Sequence, residues 1–526
     1  MKTRIFVIIS TLLICNACSD FLKEDPRGIQ MAETFYNTEN EAYAGLLGIY
    51  GRVRTGTLAS QNFINRNDAY SDLCTYKPSA TTDAVAFPRF RLNPDTPPLV
   101  DSWNAAYAAL YSINSYIQAM TNNTSEKIRQ EVKDQYINEA KFFRAFLYYH
   151  LVMRWGDVPL RLEPSDMANT DIARTPVADI WPVIIKDLTD ALSLPDKKNT
   201  QKERISKGAV QTLLAKVHLM KGDYPAAKDV LDQITGYSLM ANIRDVWSPF
   251  KKFNEESIWE INNEENTLPR QGHNALNLIL PVDPMFQGGN GTYPINHYVM
   301  QMTEPNSPRT RVFFSTPPKI SQAKDPKFGN NYKGEFNYTN VEGKNVRIVF
   351  KNATLGPYAH LMKFVDLSMY LVPTRIRLND NSFNIVIFRY ADVVLMKAEC
   401  ECEANNLTLA LDYLNQIRTR AGETKYTLTN ETGLKALNGQ SDLREAIRNE
   451  RAVELAGEGH RFYDLKRWGT EYAIAKIKQS RLTVPDDMYN PYLEGDVDNV
   501  IPERLNWPIP IDEMQGNKLI TQNTGY

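Results

Sequence analysis

Paired stretches with apolar side chains at helical spacing restrict the fold of this chain more than any other feature of its sequence. Residues 207–221 carry apolar side chains along one helical face, and Gly222 ends that stretch before a second helix opens at Tyr224. A helix with a single apolar stripe is stable only when a neighbour covers the stripe. The sequence therefore predicts helical hairpins that pack against one another.

The same pattern recurs along the chain. We predict further helices over residues 138–155, 176–194, 388–404, 407–420 and 441–457. Thr175 is the predicted cap of the second of these, because Pro176 follows it in the first turn. Helix, short turn and helix resemble tetratricopeptide-type units, although the strict period of that repeat is absent. The predicted fold is therefore mostly α.

Glycine, proline and asparagine interrupt the helical pattern in several parts of the chain, and short strands are predicted there at 257–261 and 346–350. We expect a helical scaffold and a loop-rich layer within one globular domain over residues 18–526. The scaffold is assigned to about 30–55, 101–235 and 388–470, and the loop-rich layer to about 56–100, 236–387 and 471–505. Long irregular loops on a rigid scaffold are where binding functions concentrate, so the layer is the predicted binding surface.

The first residues predict export and a lipid anchor. Lys2 and Arg4 precede an apolar run over residues 5–14, and Ala17 stands directly before Cys18. The run is too short for a membrane span, which needs about 20 apolar residues, and its flanks are those of a signal peptide. We expect residues 1–17 to be a lipoprotein signal peptide and Cys18 to carry the lipid that holds the protein on a membrane. The alternative is ordinary secretion with Cys18 as a free thiol.

Charge and cysteine content exclude two classes of protein. Lys and Arg total 60 against 62 Asp and Glu, so the net charge is −2. Proteins that bind nucleic acid concentrate basic charge to neutralise phosphates, so nucleic acid is not an expected partner. With Cys18 acylated, only Cys74, Cys400 and Cys402 are left, and an odd number of thiols argues against a disulfide framework. We expect Cys400 and Cys402 to be core thiols.

Five segments carry a family resemblance. Residues 138–160 read NEAKFFRAFLYYHLVMRWGDVPL, which looks like the signature helix of the SusD/RagB family. Four further segments agree with that family in order and placement, namely 390–399, 415–422, 448–469 and 507–526. One departure is Thr524, where the family often has proline. The chain therefore resembles the SusD/RagB surface lipoproteins of Bacteroidetes nutrient-uptake systems from its signal peptide to its last residue.

This resemblance implies a fold, a function and partners. The implied fold has four tetratricopeptide-like helix pairs that support a variable loop face. The implied function is non-catalytic capture of a nutrient, commonly a glycan, at the outer-membrane surface. The implied partner is a SusC-like TonB-dependent barrel, which the protein caps as a lid. The alternative is a scaffold lid that mainly clamps the barrel and recognises a peptide or another non-glycan nutrient.

Catalytic chemistry is not predicted. The chain has six histidines and lacks the His-Glu-x-x-His, Gly-x-Ser-x-Gly and phosphate-loop motifs. Paired glycosidase carboxylates stay open as an alternative, because their separation is a spatial property. Glu450, Glu454 and Glu458 lie four residues apart and interleave with Arg448 and Arg451. We interpret this motif as intrahelical ion pairs of a scaffold helix.

An acidic turn near the end of the chain is a weak metal candidate. Glu494, Asp496 and Asp498 place oxygen ligands at alternating positions, as a calcium-binding loop can. The central glycine and the bidentate glutamate of the helix-loop-helix calcium site are absent from this stretch. We therefore favour a solvated acidic turn, with structural calcium as the alternative, and expect no cofactor.

Aromatic and amide side chains in the irregular segments are the predicted ligand contacts. A sugar ring has an apolar face that stacks on aromatic rings, and its hydroxyls bond amides and carboxylates. The candidate residues are Asp68, Tyr70, Tyr76, Phe87 and Phe90 in the first segment, and Phe286, Asn290, Tyr293, Asn296 and Tyr298 in the second. Trp103, Tyr107 and Tyr111 lie at helical spacing and are assigned to packing.

Overall fold

A computed structural model describes most of the helical part of the chain. The described residues are 36–56, 61–76, 82–164, 171–197, 201–263, 291–304, 307–309, 335–339, 345–349, 360–364, 384–482 and 494–526. The predicted signal peptide, Cys18, Phe286 and Asn290 lie outside them.

Helices dominate the described residues, which confirms the predicted mostly α fold. In chain order they are α1 (Glu39–Gly56), α2 (Gln61–Ala69), α3 (Thr82–Val85), α4 (Pro97–Thr121), α5 (Gln130–Trp155), α6 (Val177–Ala191), α7 (Lys207–Met220), α8 (Tyr224–Asp232), α9 (His297–Met300), α10 (Tyr390–Glu403), α11 (Leu407–Ala421), α12 (Gln440–Glu454), α13 (Arg461–Arg467), α14 (Thr470–Leu482) and α15 (Ile511–Gly516). Among them, none combines the length and apolar character needed to cross a membrane.

The strands form small sheets. They are β1 (Ser257–Ile261), β2 (Glu335–Thr339), β3 (Asn345–Val349), β4 (Ile385–Arg389), β5 (Tyr426–Thr427) and β6 (Lys435–Ala436). β1 pairs antiparallel with β4, β2 antiparallel with β3, and β5 parallel with β6. Every side chain of β1 and β4 is buried, so this ribbon lies inside the protein. The two predicted strands are confirmed, the second with a shift of one residue.

Consecutive helices pack as pairs, as the hairpin pattern predicts. α5 lies against α6, α7 against α8, and α10 against α11. Gly156 ends α5 and Gly422 ends α11, with φ of 74° and 70°, a region that glycine adopts without strain. A Cβ atom at Gly422 would also approach Cγ of Pro308 to 2.6 Å. Both turns therefore need glycine.

The start of α6 differs from the prediction. Pro176, and not Thr175, occupies the N-cap position, and its side chain makes no capping hydrogen bond. Asp157 supplies the bond instead, because its Oδ1 accepts from the backbone N–H of Val177 at 2.9 Å. Since Asp157 directly follows the glycine that ends α5, this bond ties one helix to the next.

Buried apolar side chains of the described residues form one large cluster, a smaller one and a pair, Tyr76 with Val85. The large cluster joins α1 and α4–α8 to the C-terminal segment, and the smaller one lies between α10, α11 and α12. Cys400 and Cys402 are buried free thiols, as predicted. Trp103 is buried as predicted, whereas Tyr111 is 52% exposed on the outer face of α4, so its assignment to packing is wrong.

The C-terminal segment packs on the end of α5. The backbone N–H of Trp507 donates to the Arg154 carbonyl at 2.6 Å, and the Asn523 amide donates to the Trp155 carbonyl at 2.8 Å. The hydroxyl of Tyr526 donates to the Asn506 carbonyl at 3.0 Å. The end of the chain is therefore part of the core.

Four helices lie where loops were expected. α2 and α3 fall within 56–100, α9 falls within 236–387, and α14 begins one residue before 471–505 and continues into it. The buried face of α14 consists of Ala473, Ile477, Ser480 and Arg481. These residues have helical spacing, but two of them are polar, so hydropathy does not mark the face. Residues 388 and 389 belong to β4, so α10 begins two residues later than predicted.

Candidate functional site

The aromatic side chains predicted from the first segment lie inside the protein. Tyr70, Phe87 and Phe90 are each 0% exposed. The Tyr70 ring stacks on Phe90 with 4.0 Å between centroids and meets Trp507 edge-on. Its hydroxyl donates to the Arg504 carbonyl at 2.6 Å. A ring without exposed area has no face for a sugar, so the expected ligand contact is corrected to core packing. Tyr70, Phe87, Phe90, Phe462 and Trp507 are called the aromatic cluster below.

The described candidates of the second segment are buried as well. Tyr293, Asn296 and Tyr298 are 1%, 2% and 7% exposed. The Tyr293 hydroxyl donates to the Ala84 carbonyl at 3.0 Å, and the Asn296 amide donates to the Ser480 carbonyl at 2.9 Å. These bonds anchor the segment on α3 and α14. Ligand contact is therefore corrected to loop anchoring for these three residues.

Asp496 is buried, contrary to the predicted solvated turn. Its carboxylate accepts from Arg89 Nε at 3.0 Å and from the hydroxyl of Tyr76 at 3.3 Å, and Arg91 lies 3.4 Å away. Two guanidinium groups thus neutralise the carboxylate that calcium would need. The hydroxyl of Tyr76 bonds this carboxylate, so the predicted ligand contact of Tyr76 is corrected to a structural hydrogen bond. Asp498 is exposed, and the side chain of Glu494 lies outside the described residues. Within the described ranges, His, Cys, Asp and Glu side chains form no cluster suited to a metal ion.

Asp68 is a buried carboxylate that forms no ion pair with any described residue. It is 1% exposed, and its Oδ2 accepts from the backbone N–H of Gly459 at 3.2 Å. The neighbouring Asn67 donates to the Gly459 carbonyl at 3.2 Å. Burial raises the pKa of Asp68 to about 7. Asp68 therefore holds the turn after α12, which corrects its predicted contact with a ligand.

A cluster of buried charges lies at the end of α12. Arg389 donates to Glu256 and Glu454 at 2.8 Å and to Glu458 at 2.7 Å. Arg420 reaches the first two of these carboxylates at 2.8 and 2.6 Å. The pairs tie α12 and the turn after it to β4, to α11 and to the residue before β1. These five residues are called the charged core.

The predicted intrahelical ion pairs are wrong, because the partners come from other elements. Glu450 pairs with Arg309 and Arg418, and Arg451 donates to Asp464 at 2.8 Å. The guanidinium of Arg448 lies over the Trp468 ring. Burial acts to raise the pKa of Glu458, but Arg389 and Lys363 hold it at about 2. The motif is structural, as interpreted from sequence, through long-range pairs.

Two histidines beside the charged core are kept uncharged. Burial lowers the pKa of His150 well below its ordinary value, and burial together with Lys216 lowers the pKa of His460 to about 4. His150 Nδ1 lies 2.8 Å from the hydroxyl of Tyr463. The cavity that these side chains line has a volume of about 30 Å³, which has room for little more than a water molecule. A saccharide does not fit there.

Two open clefts of the helical scaffold are lined by described residues. The first, called the interhelical cleft, has a volume of about 630 Å³ and lies between α4, α5 and α6. Its three cations pair with two aspartates of the same cleft. Arg144 donates to Asp187 at 2.7 and 2.8 Å, and Lys141 and Lys186 donate to Asp190 at 2.7 and 2.9 Å. The charges of this cleft are therefore compensated within the protein.

The second, called the C-terminal cleft, has a volume of about 520 Å³ and lies between the end of α5, α6, α13 and the last residues of the chain. Its polar lining includes Asp157, Arg174, Lys466 and Asn506, and the half-buried indole of Trp181 borders it. Sequence reasoning missed this cleft, because its walls come from four distant segments. The one sequence signal for this cleft was Trp181, a large aromatic residue next to Pro182 near the start of α6.

Comparison with known proteins agrees with this architecture. Residues 255–526 match the SusD family model, and residues 31–219 match a model described as starch-binding associating with outer membrane. SusD-like protein P25 of Formosa agariphila is 28% identical and aligns over 99% of both chains. A solved laminarin-binding SusD-like protein has a TM-score of 0.70 at 23% identity, covering 93% of this chain and 100% of its own. Surface glycan-binding protein A from Bacteroides fluxus has a TM-score of 0.67 at 21% identity, with the same coverage.

Helix pairs, short two-stranded sheets and open clefts define a helical-repeat scaffold protein. The SusD family model covers more than half of the sequence. The chain belongs to the SusD family, which confirms the resemblance found in its motifs.

Proposed function

We propose that this protein is a non-catalytic glycan-binding lipoprotein of the outer-membrane surface, which delivers its ligand to a SusC-like TonB-dependent barrel. The proposal that the ligand is a glycan rests on one observation. The fold resembles that of a laminarin-binding SusD-like protein over 93% of this chain. The family model that joins starch binding to the outer membrane supports the location. The Ala17-Cys18 junction after a short apolar run supports the lipid anchor.

The loop-rich layer is the proposed glycan surface. Tyr293 and Asn296 anchor this layer on the helices beneath it. Anchored loops lose less conformational freedom when they bind, which favours affinity. Ligand contacts come from side chains beyond these anchors, and Phe286 and Asn290 remain the candidates.

A binding screen tests glycan capture. The purified protein is run on native gels that contain laminarin, starch or another soluble polysaccharide, and we expect at least one of them to retard it. Incubation with the same glycans should release no reducing ends. Retardation by none of them, together with binding to peptides, would favour the scaffold lid, and a rise in reducing ends would contradict a non-catalytic role.

Two substitutions test where the glycan binds. Phe286→Ala and Asn290→Ala should weaken retardation without changing the melting temperature. The control is Tyr111→Ala, which removes an exposed ring from the scaffold helix α4. Equal weakening by the control would remove the assignment to the loop-rich layer.

The anchor and the barrel have separate tests. Cys18→Ala should move the protein from the membrane fraction to the soluble fraction in cells that lack the barrel. In cells that contain it, the barrel should co-purify with the tagged wild-type protein. Membrane fractionation of Cys18→Ala without the barrel would contradict lipid attachment.

A further inference from the structure

We propose that the C-terminal cleft binds a uronate, a sugar ring that carries a carboxylate. The cleft is built from scaffold helices and the end of the chain, apart from the loop-rich layer proposed to bind the main glycan. The inference goes beyond that proposed function and rests on uncompensated charge, an accessible ring and free polar groups in one cleft.

Two cations of the cleft, Lys466 and Arg174, form no ion pair with any carboxylate of the described residues. Lys466 Nζ donates to the Met153 carbonyl at 2.6 Å and to Asn506 Oδ1 at 2.9 Å. An ammonium group has three N–H donors, so one is left for the cleft. Burial lowers the pKa of Lys466 to about 7. An entering carboxylate would stabilise the charged amine.

Arg174 adds positive charge to the same wall. Its guanidinium donates to the carbonyls of Asp157 and Thr521 at 2.8 and 3.1 Å and to Asn523 Oδ1 at 2.5 Å. These oxygens fix the guanidinium but are neutral, so its charge is not cancelled by them. Arg467 also lines the cleft, but it is paired with Glu399 and Asp464. The Asp157 carboxylate also lines the cleft and attracts the Arg174 guanidinium, so Lys466 and Arg174 against Asp157 leave an excess of one positive charge, which suits one carboxylate.

Accessibility separates Lys466 from other buried cations. Cations elsewhere in the described chain commonly face carboxylates, as Lys216 faces Asp392 at 2.5 Å. Arg481 forms no ion pair with a described residue either, but it is 1% exposed and borders neither open cleft. Lys466 is half-buried at the wall of an open cleft, where a ligand can reach it.

The rest of the wall suits a sugar ring. Trp181 is half-buried, and the ring of Tyr149 packs beside it with 6.4 Å between centroids. The C–H face of a pyranose stacks on such an indole. Asp157 Oδ2 and Asn506 Nδ2 have no hydrogen-bond partner among the described residues, so they can bond ring hydroxyls. A volume of about 520 Å³ accommodates a ligand of this size.

Calorimetric titration with three small probes tests the proposal. Glucuronate and glucose differ at C6, where the carboxylate of the first replaces a hydroxymethyl group, and benzoate carries a carboxylate on a flat ring without hydroxyls. Glucuronate should bind at least about tenfold more tightly than either, because it alone provides both the charge and the hydroxyls. Equal affinity for glucose would overturn the role of the charge, and equal affinity for benzoate would overturn the assignment to a sugar.

Variants locate the binding. Lys466→Met should abolish the preference for glucuronate over glucose, a loss of about tenfold. Trp181→Ala should weaken glucuronate binding by roughly tenfold. The control is Lys186→Met, which removes a lysine of the interhelical cleft and should leave the affinity unchanged. Wild-type affinity in Trp181→Ala would overturn the site even if Lys466→Met failed to fold.

Discussion

The charged core and the C-terminal cleft hold buried cations in opposite ways. Arg389 in the charged core donates to three carboxylates and, with Lys363, holds the pKa of Glu458 at about 2 against the effect of burial. Lys466 in the cleft donates only to neutral oxygens, and burial lowers its pKa to about 7. Compensated charges join elements of the scaffold, whereas an uncompensated charge at an open wall is available to a ligand. The predictions below test this distinction.

The largest effect is expected where a compensating cation is removed. Arg389→Met leaves Glu256, Glu454 and Glu458 buried without their shared guanidinium. Breaking a buried pair costs about 3–5 kcal/mol, because an uncompensated charge is left behind. Urea unfolding of the variant measures this loss. A loss below about 1 kcal/mol would show that the charged core does not hold the scaffold together.

Asp68 is a buried anion without an ion pair among the described residues, so it extends the comparison from cations to a carboxylate. Its folded pKa of about 7 lies above the ordinary value of about 4, so the folded state holds the proton more tightly. The contribution of Asp68 to the free energy of unfolding is therefore fully present below about pH 4. It is lost as the pH rises to 7, and the loss is on the order of 4 kcal/mol. Asp68→Asn should remove this dependence, and Asp498→Asn, at an exposed carboxylate, should keep it. Unfolding free energies between pH 4 and 8 provide the measurement, and equal slopes in wild type and Asp68→Asn would contradict the prediction.

Tyr70 in the aromatic cluster and Trp181 in the C-terminal cleft allow a fully buried ring to be compared with a half-buried one. Tyr70→Ala empties a fully buried site and should cost about 3 kcal/mol. Tyr70→Phe keeps the ring and loses the hydroxyl, which donates to the Arg504 carbonyl and lies 3.4 Å from the Tyr526 hydroxyl, so about 1 kcal/mol is expected. Trp181→Ala, at a half-buried ring, should cost less than Tyr70→Ala. Thermal unfolding ranks the three variants, and an unchanged melting temperature in Tyr70→Ala would restore that ring as a ligand candidate.

The smallest stability effect is expected at Lys466. Lys466→Met removes two hydrogen bonds to residues that line the open cleft, and it also removes an uncompensated charge. We expect a change within about 1 kcal/mol, as at sites away from buried networks. Urea unfolding beside Arg389→Met makes the contrast direct. A loss equal to that of Arg389→Met would assign Lys466 to the scaffold.

Helix positions could be predicted because they depend on local pattern. The stripe in residues 207–221 and the glycines at 156 and 422 indicate where α7, α5 and α11 lie. The structure confirms α7 and α11 within one residue and the end of α5, but α5 begins at Gln130, eight residues before its predicted start. α14 was missed, since its buried face includes Ser480 and Arg481. Periodicity marks only those helices whose buried face is apolar.

The candidate site could not be predicted in the same way, because burial is decided between distant segments. Tyr70 lies in a segment that looks like a binding loop, and its carbonyl partner, Arg504, is 434 residues away in sequence. Asp496 looked solvated because the guanidinium of Arg89, 407 residues earlier, cannot be paired with it from one sequence. The residues that line the C-terminal cleft share no local pattern.

The bonds from the C-terminal segment to α5 also constrain how the molecule is made. The Asn523 amide meets a carbonyl that lies 368 residues earlier in the chain, so this contact forms during synthesis only after residue 523 has left the ribosome. Deletion of residues 507–526 would leave the Arg154 and Trp155 carbonyls without these partners. The end of α5 therefore reaches its final packing late in the synthesis of the polypeptide.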